Sequence, residues 1–167
     1  VVIKPINEGS SVNVFICNHS NINKKLKFLK NYKEILIEKF IPGREIQAAI
    51  LEKKKLGAIE LKPKRKFYDY QAKYNSKAKT EHVIPVNLSK KKYNELMNIS
   101  LKVHNLLKCR GVTRSDFKYY KNNFYLLEIN TQPGMTKLSL VPEISAYSGI
   151  NFINLIKIIL KDASTNK

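Results

Sequence analysis

Two β-rich runs, Val112 to Tyr120 and Phe124 to Ile129, flank Asn122-Asn123, and this segment restricts the fold more than any other part of the chain. A turn-forming pair between two such runs reads as an antiparallel hairpin. Side chains alternate along a strand, so Arg114 and Asp116 share one face of the first run, and Glu128 and Asn130 share one face of the second. Loop length decides whether these faces coincide. A two-residue loop at Asn122-Asn123 would set Asp116 opposite Ile129 and carry Glu128 to the other side. A three-residue loop, Lys121 to Asn123, sets Asp116 opposite Glu128. The odd loop is favoured, because its last residue takes the left-handed conformation that Asn tolerates.

In that register Asp116, Glu128 and Asn130 form an all-oxygen set suited to Mg²⁺, with coordination positions left for water and phosphate. The competing reading pairs both acids with surface lysines. Against it stands the stretch from Asn130 through Pro133, Gly134 and Met135 to Thr136, which continues directly from the strand and supplies backbone N–H groups beside the acids.

The rest of the chain surrounds this hairpin with mixed elements. Val1 to Lys4 and Val12 to Cys17 read as strands, and Ser20 reads as the cap of a helix to about Tyr32 with Ile22, Leu26 and Leu29 inward. Ile35 to Phe40, Glu45 to Leu51 and Leu56 to Leu61 read as strands. Ser89 opens the clearest helix, running to about Leu107, with Tyr93, Leu96, Met97, Val103 and Leu107 on one face and Gly111 beyond its end. Two closing helices cover about Pro142 to Ser148 and Asn151 to Lys161. The class is α+β, a mainly antiparallel sheet with helices packed on one side.

Two further segments have the composition of ligand loops. Glu8-Gly9-Ser10-Ser11-Val12 lacks the Lys-Ser/Thr of a Walker A loop, yet small residues between strands can cover a triphosphate with amides and hydroxyls. Lys4, just before it, is placed to meet a phosphate as a point charge. Residues 63–81 form a long loop in which Phe67, Tyr68, Tyr70 and Tyr74 surround Lys73, as in a flap that closes over a ligand.

These residues, in this order and spacing, closely resemble the D-alanine–D-alanine ligases of the ATP-grasp superfamily. The likeness rests on Val2 to Pro5 with Glu8 to Val12, Ile37 to Phe40 with Gly43 to Glu45, and Phe67 to Tyr70 with Lys73-Tyr74. It continues through Cys109 to Gly111 with Arg114 to Asp116, and Leu127 to Thr131 with Pro133 to Thr136 and Ser139-Leu140. The resemblance implies ATP and two Mg²⁺ ions, with Mn²⁺ as a substitute, and D-alanine as substrate. It implies that Lys4 and Lys73 contact phosphates and that Glu8, Ser10 and Ser11 belong to the covering loop. Glu38, Lys39 and Ile41 would line the adenine pocket, and Glu45 would hold the ribose. Asp116, Glu128 and Asn130 would bind metal. Arg114 and the Gly134 N–H would face an oxyanion, and Ser139 with Leu140 would receive the second substrate's carboxylate. Tyr74 beside the flap Lys goes, in this family, with dipeptide rather than ester products.

The same resemblance places residues 1–43 at the end of a central subdomain and 44–167 in a C-terminal subdomain, with an N-terminal substrate domain missing, so the chain reads as a piece of a longer, homodimeric protein. Asn13 stands where the family usually has Gly.

Composition limits the alternatives. The net charge of +18 comes mostly from Lys in separate groups such as Lys24-Lys25, Lys53 to Lys55 and Lys90 to Lys92, which suits a solvated surface rather than a polyanion-binding tract. No nucleic-acid partner is expected, although a basic nucleic-acid-binding module is the rival from another class and another ATP-grasp carboxylate–amine ligase the rival among enzymes. Apolar runs are interrupted by Lys, Glu and Asn, so no membrane association is expected. Cys17 and Cys109 form no CxxC pair and His19, His82 and His104 are scattered, which fits a reducing cytoplasm.

Overall fold

The computed structural model describes residues 1–9, 11–62 and 80–163. Ser10, Lys73, Tyr74 and the rest of the expected flap therefore lie outside the described residues. The chain divides into two compact units, one built on Val1–Pro42 and the other on Gly43–Lys62 with His82 onward.

The first unit holds a sheet of order β2-β1-β3, with β1 at Val2–Pro5, β2 at Phe15–Ile16 and β3 at Ile35–Glu38. β1 pairs antiparallel with both neighbours, Val2 lying opposite Ile16 and Glu38. Ile3, Cys17 and Leu29 form its buried centre, flanked by Phe15, Ile22, Leu26, Tyr32 and Ile35. Helix α1 covers Ile22–Phe28, shorter than the sequence pattern suggests, and its N-cap is Asn21. The Ser20 hydroxyl instead donates to the Asn18 side chain, which gathers the turn before the helix.

The second unit is a five-stranded sheet of order β6-β5-β4-β7-β8. Its strands are β4 (Arg44–Leu51), β5 (Lys54–Lys62), β6 (Glu81–Val83), β7 (Val112–Tyr120) and β8 (Asn123–Asn130). The pairs β4–β5, β4–β7 and β7–β8 are antiparallel. Helix α2 spans Lys90–Leu106, α3 Leu140–Tyr147 and α4 Phe152–Asp162. Ile46, Ala48 and Ile50 on β4, Ala58 on β5 and Phe117 on β7 pack with Leu96 and Met97 of α2 into one core. This leaves the alternate residues of β4 and β7, among them Glu45, Gln47, Arg114, Asp116 and Lys118, on the other face.

α2 starts where a capping residue predicts it: the Ser89 hydroxyl accepts from the Lys92 N–H. Its buried stripe is Leu96, Met97, Ser100 and His104, whereas Leu107 is exposed. Polar residues fill half the inward stripe because each finds a partner there: Ser100 donates to the Leu96 carbonyl, and His104 Nδ1 lies 2.8 Å from the Thr113 hydroxyl. The helix ends with left-handed Lys108 (φ 52°), as the Cys109 and Lys108 N–H groups return to the His104 and Asn105 carbonyls. Gly111, the expected terminator, serves the next turn, where its N–H donates to Asp162 and its carbonyl accepts from the Glu52 N–H.

Candidate active site

The hairpin sets Asp116 opposite Glu128 and Arg114 opposite Asn130, as the sequence argument requires, but by a different route. The loop has two residues, Lys121 and Asn122, both left-handed (φ 46° and 64°), and Tyr120 faces Asn123 across it. A β-bulge between Asp116 and Phe117 supplies the odd residue: Phe117 faces Leu126, Asp116 faces Glu128, and Leu127 is the extra one. Without that bulge Asp116 would face Leu127, and Glu128 would turn to the helix side.

β4 extends the same face. In register with β7, Glu45 lies opposite Lys118 and Gln47 opposite Asp116. One polar contact joins β7 to β4, and two more run along single strands, one on β7 and one on β8. Lys118 Nζ donates to Glu45 Oε2 at 2.9 Å, with both side chains about 15% exposed. The Arg114 guanidinium donates through Nε and its terminal nitrogen to the two Asp116 oxygens at 2.7 and 2.9 Å. Asn130 Nδ2 donates to Glu128 Oε1 at 3.3 Å.

The donor chemistry fits a hard divalent cation. Two carboxylates and an amide oxygen from adjacent strands share one face, and Asn130 gives its N–H, not its oxygen, to Glu128. Arg114 neutralises Asp116 in this arrangement, so a bound cation and the guanidinium would share that carboxylate. No group of three or more His, Cys, Asp or Glu is gathered for a metal among the described residues, and the proposed set needs its amide.

Just past β8, the loop to α3 forms a compact hydroxyl cluster. Ser139 Oγ accepts from the Thr136 N–H at 3.0 Å and lies 2.9 Å from the Thr136 hydroxyl. A Cβ on Gly134 would come within 2.9 Å of the same oxygen, so glycine is what lets this backbone pass so close. Leu140 is the first residue of α3, and its N–H is among the first-turn donors that a helix leaves unpaired.

In the first unit, Lys4 Nζ forms an ion pair with Glu38 at 2.9 Å. Glu8 accepts from the Tyr32 hydroxyl at 2.8 Å, and Asn13 Nδ2 donates to that Tyr32 hydroxyl at 2.7 Å. The hydrogen bond to Glu8 pushes the Tyr32 phenol above its usual range, and partial burial adds to that. Ser11 and Asn13 are left-handed (φ 61° and 56°), so Asn13 supplies the conformation that Gly would give. Lys39 is exposed and Ile41 half-buried. Sequence reasoning named Thr136 only as the end of a motif and missed Tyr32 and Gln47, which carry no motif signal and whose placement depends on residues distant in the chain.

A pocket of about 370 Å³ lies elsewhere in the second unit, lined by residues including Lys53, Lys54, His104, Cys109 and Arg110, and none of the expected site residues lines it.

An antiparallel sheet backed by helices on one side, with paired acids from adjacent strands on the other, is the arrangement of an ATP-grasp ligase module. Comparison with known proteins makes the assignment narrower. The family model described as D-ala D-ala ligase C-terminus matches residues 1–161, and the chain belongs to that family. It is 66% identical, over all of its length and 55% of the other protein's, to a D-alanine–D-alanine ligase of Pelagibacter ubique. It is 44% identical to that of Wolbachia pipientis wMel, covering 99% of this chain and 54% of the relative. A crystal structure of the Bacillus anthracis D-alanine–D-alanine ligase superposes with a TM-score of 0.82 at 32% identity, over 96% of this chain and 53% of that one. The chain thus spans about half the length of the relatives it matches.

Proposed function

We propose that this chain is the nucleotide- and metal-binding half of a cytoplasmic, homodimeric ligase that joins two D-alanines at the expense of ATP, for peptidoglycan precursors. An N-terminal substrate domain would precede it, with residues 1–43 ending a central subdomain and 44–167 forming the C-terminal one. The observation that carries the reading is the shared face of Asp116, Glu128 and Asn130 beside Arg114. Family membership supports it.

The chemistry required is activation of a poor electrophile. The γ-phosphoryl group of ATP passes to the carboxylate of the first D-alanine, leaving ADP and an acyl phosphate. The amine of the second D-alanine attacks the acyl carbon, and the tetrahedral oxyanion collapses by expelling inorganic phosphate.

The family resemblance gives residues of this chain roles in both steps. Lys4 and Lys73 would contact phosphate oxygens, and Glu8, Ser10 and Ser11 would belong to the covering loop. Glu38, Lys39 and Ile41 hold the adenine, and Glu45 the ribose hydroxyls. Asp116, Glu128 and Asn130 would hold two Mg²⁺ ions, or Mn²⁺, which supply Lewis-acid neutralisation of phosphate charge when bound. The Arg114 guanidinium and the Gly134 N–H donate to the oxyanion, each such donor being worth about 3 kcal/mol of barrier. The Ser139 hydroxyl and the Leu140 N–H, at the positive end of α3, receive the second substrate's carboxylate. Tyr74 favours an amine over a hydroxyl as second nucleophile.

The test is production of ADP and dipeptide by the protein carrying both halves, offered D-alanine, D-serine and D-lactate. D-alanyl-D-alanine as main product is expected. Formation of an ester or of D-alanyl-D-serine at equal rate would redirect the assignment.

A further inference from the structure

Gln47 sits in the middle of β4, on the face that carries Glu45, Asp116 and Glu128, with Ile59 across on β5 and Asp116 across on β7. The residue is 2% exposed. Its Oε1 is buried, and no described residue donates to it. A buried acceptor left unpaired costs about 1–3 kcal/mol, which an apolar side chain of the same length would avoid. Its strand neighbours Ile46, Ala48, Ala49 and Ile50 are the residues expected there on packing grounds. Packing alone therefore gives no reason for the amide oxygen.

The chemistry of the surroundings says what is lacking. Glu45 and Asp116, the polar residues nearest along and across the strands, are acceptors themselves, held by Lys118 and Arg114. No described residue gives Gln47 Oε1 a donor, and the ligands of the proposed site can. Two donors belong to the proposed site: a ribose hydroxyl at Glu45, and a water molecule on the cation at Asp116. Glu45 is two residues along the strand, about 7 Å away, whereas a directly cross-strand pair has its Cβ atoms about 5 Å apart. The nearer donor is the water. Mg²⁺ keeps several of its waters when one or two carboxylates bind it, so such a donor is available.

We propose that Gln47 is a positioning residue for the divalent cation, its Oε1 accepting a hydrogen bond from a cation-bound water when Asp116 ligates the ion. The proposal rests on the ligase reading and adds a residue to it. Partners at this distance from a metal typically change its affinity 10- to 100-fold.

The experiment measures ATP binding to this chain in EDTA and in saturating MgCl₂, for wild type, Gln47→Met, Gln47→Leu and Gln47→Glu. Met keeps the length and removes the acceptor, Leu guards against an effect peculiar to Met, and Glu retains acceptor oxygens. The expected result is unchanged binding in EDTA, a Mg²⁺-dependent gain reduced about 10-fold or more in Met and Leu, and a gain retained in Glu. The unliganded Met variant is also expected to melt at a higher temperature than wild type. A Met variant with the wild-type Mg²⁺ gain overturns the proposal and leaves the ligase reading standing. Equal loss in EDTA and in Mg²⁺ also overturns it, by placing Gln47 on the nucleotide. Absence of any Mg²⁺ gain in wild type removes both.

Discussion

His104 shows how burial sets a residue's chemistry here. It is 2% exposed, and desolvation pushes its imidazole below the usual value of 6.5, so folding favours the neutral ring. Below pH 6.5 the unfolded chain binds a proton there more readily than the folded chain does, so stability falls as pH drops through that value and is little affected above it. Melting temperature followed from pH 7.5 to 5.5 should fall less steeply in His104→Gln than in wild type. Gly134 makes a second residue-scale case. In Gly134→Ala the new methyl would displace the Ser139 hydroxyl from Thr136. The melting temperature should change little, because the Thr136 groups left behind are exposed to water, while the Michaelis constant for the second D-alanine rises in the two-half protein. The pairing of Asp116 with Glu128 was reached from alternation together with a three-residue loop, and the actual two-residue loop with a bulge gives the same pairing. The partner of Lys4 was not, because the β1–β3 register that brings Glu38 to it depends on strands separated by a helix.

Among elements, the β4–β5 and β7–β8 hairpins and the cap of α2 follow closely from local pattern. Turn chemistry was harder to read. Lys108 and Lys121 occupy left-handed positions that a Gly or Asn would normally fill, and neither advertises this in the sequence. Each pays roughly 1–2 kcal/mol for that conformation. A Gly there gives back about 0.5–1 kcal/mol in unfolded-chain entropy. Lys108→Gly and Lys121→Gly should therefore each stabilise the chain by roughly 0.5–1 kcal/mol, measurable by urea unfolding; destabilisation by either would show that the lysine side chain contributes more than its backbone costs. The bulge at Leu127 was invisible for a related reason. Alternation fixes which face a residue takes within a strand, but a bulge and a longer loop shift the register equally. The α2 stripe was misread at Val103 and Leu107 because an apolar count cannot foresee that Ser100 and His104 find buried partners.

For the molecule as a whole, the five-stranded sheet carries its core on one face and Glu45, Asp116 and Glu128 on the other, and the chain matches about half the length of its relatives. Alone it should bind nucleotide weakly and make no appreciable dipeptide; rapid dipeptide synthesis by the 167-residue chain would contradict the assignment of the first D-alanine site to a separate domain. The charge of +18 makes a competing expectation easy to check, since polyanion binding would weaken steeply with added salt and ignore a change at Glu128. The most direct measurement is a calorimetric titration of ATP into wild type and Glu128→Gln, each with Mg²⁺ and with EDTA. Binding strengthened by Mg²⁺ in wild type, with most of that gain absent from Glu128→Gln, is the predicted result; equal strengthening in both proteins, or none in wild type, would contradict the placement of a metal–nucleotide site on this hairpin.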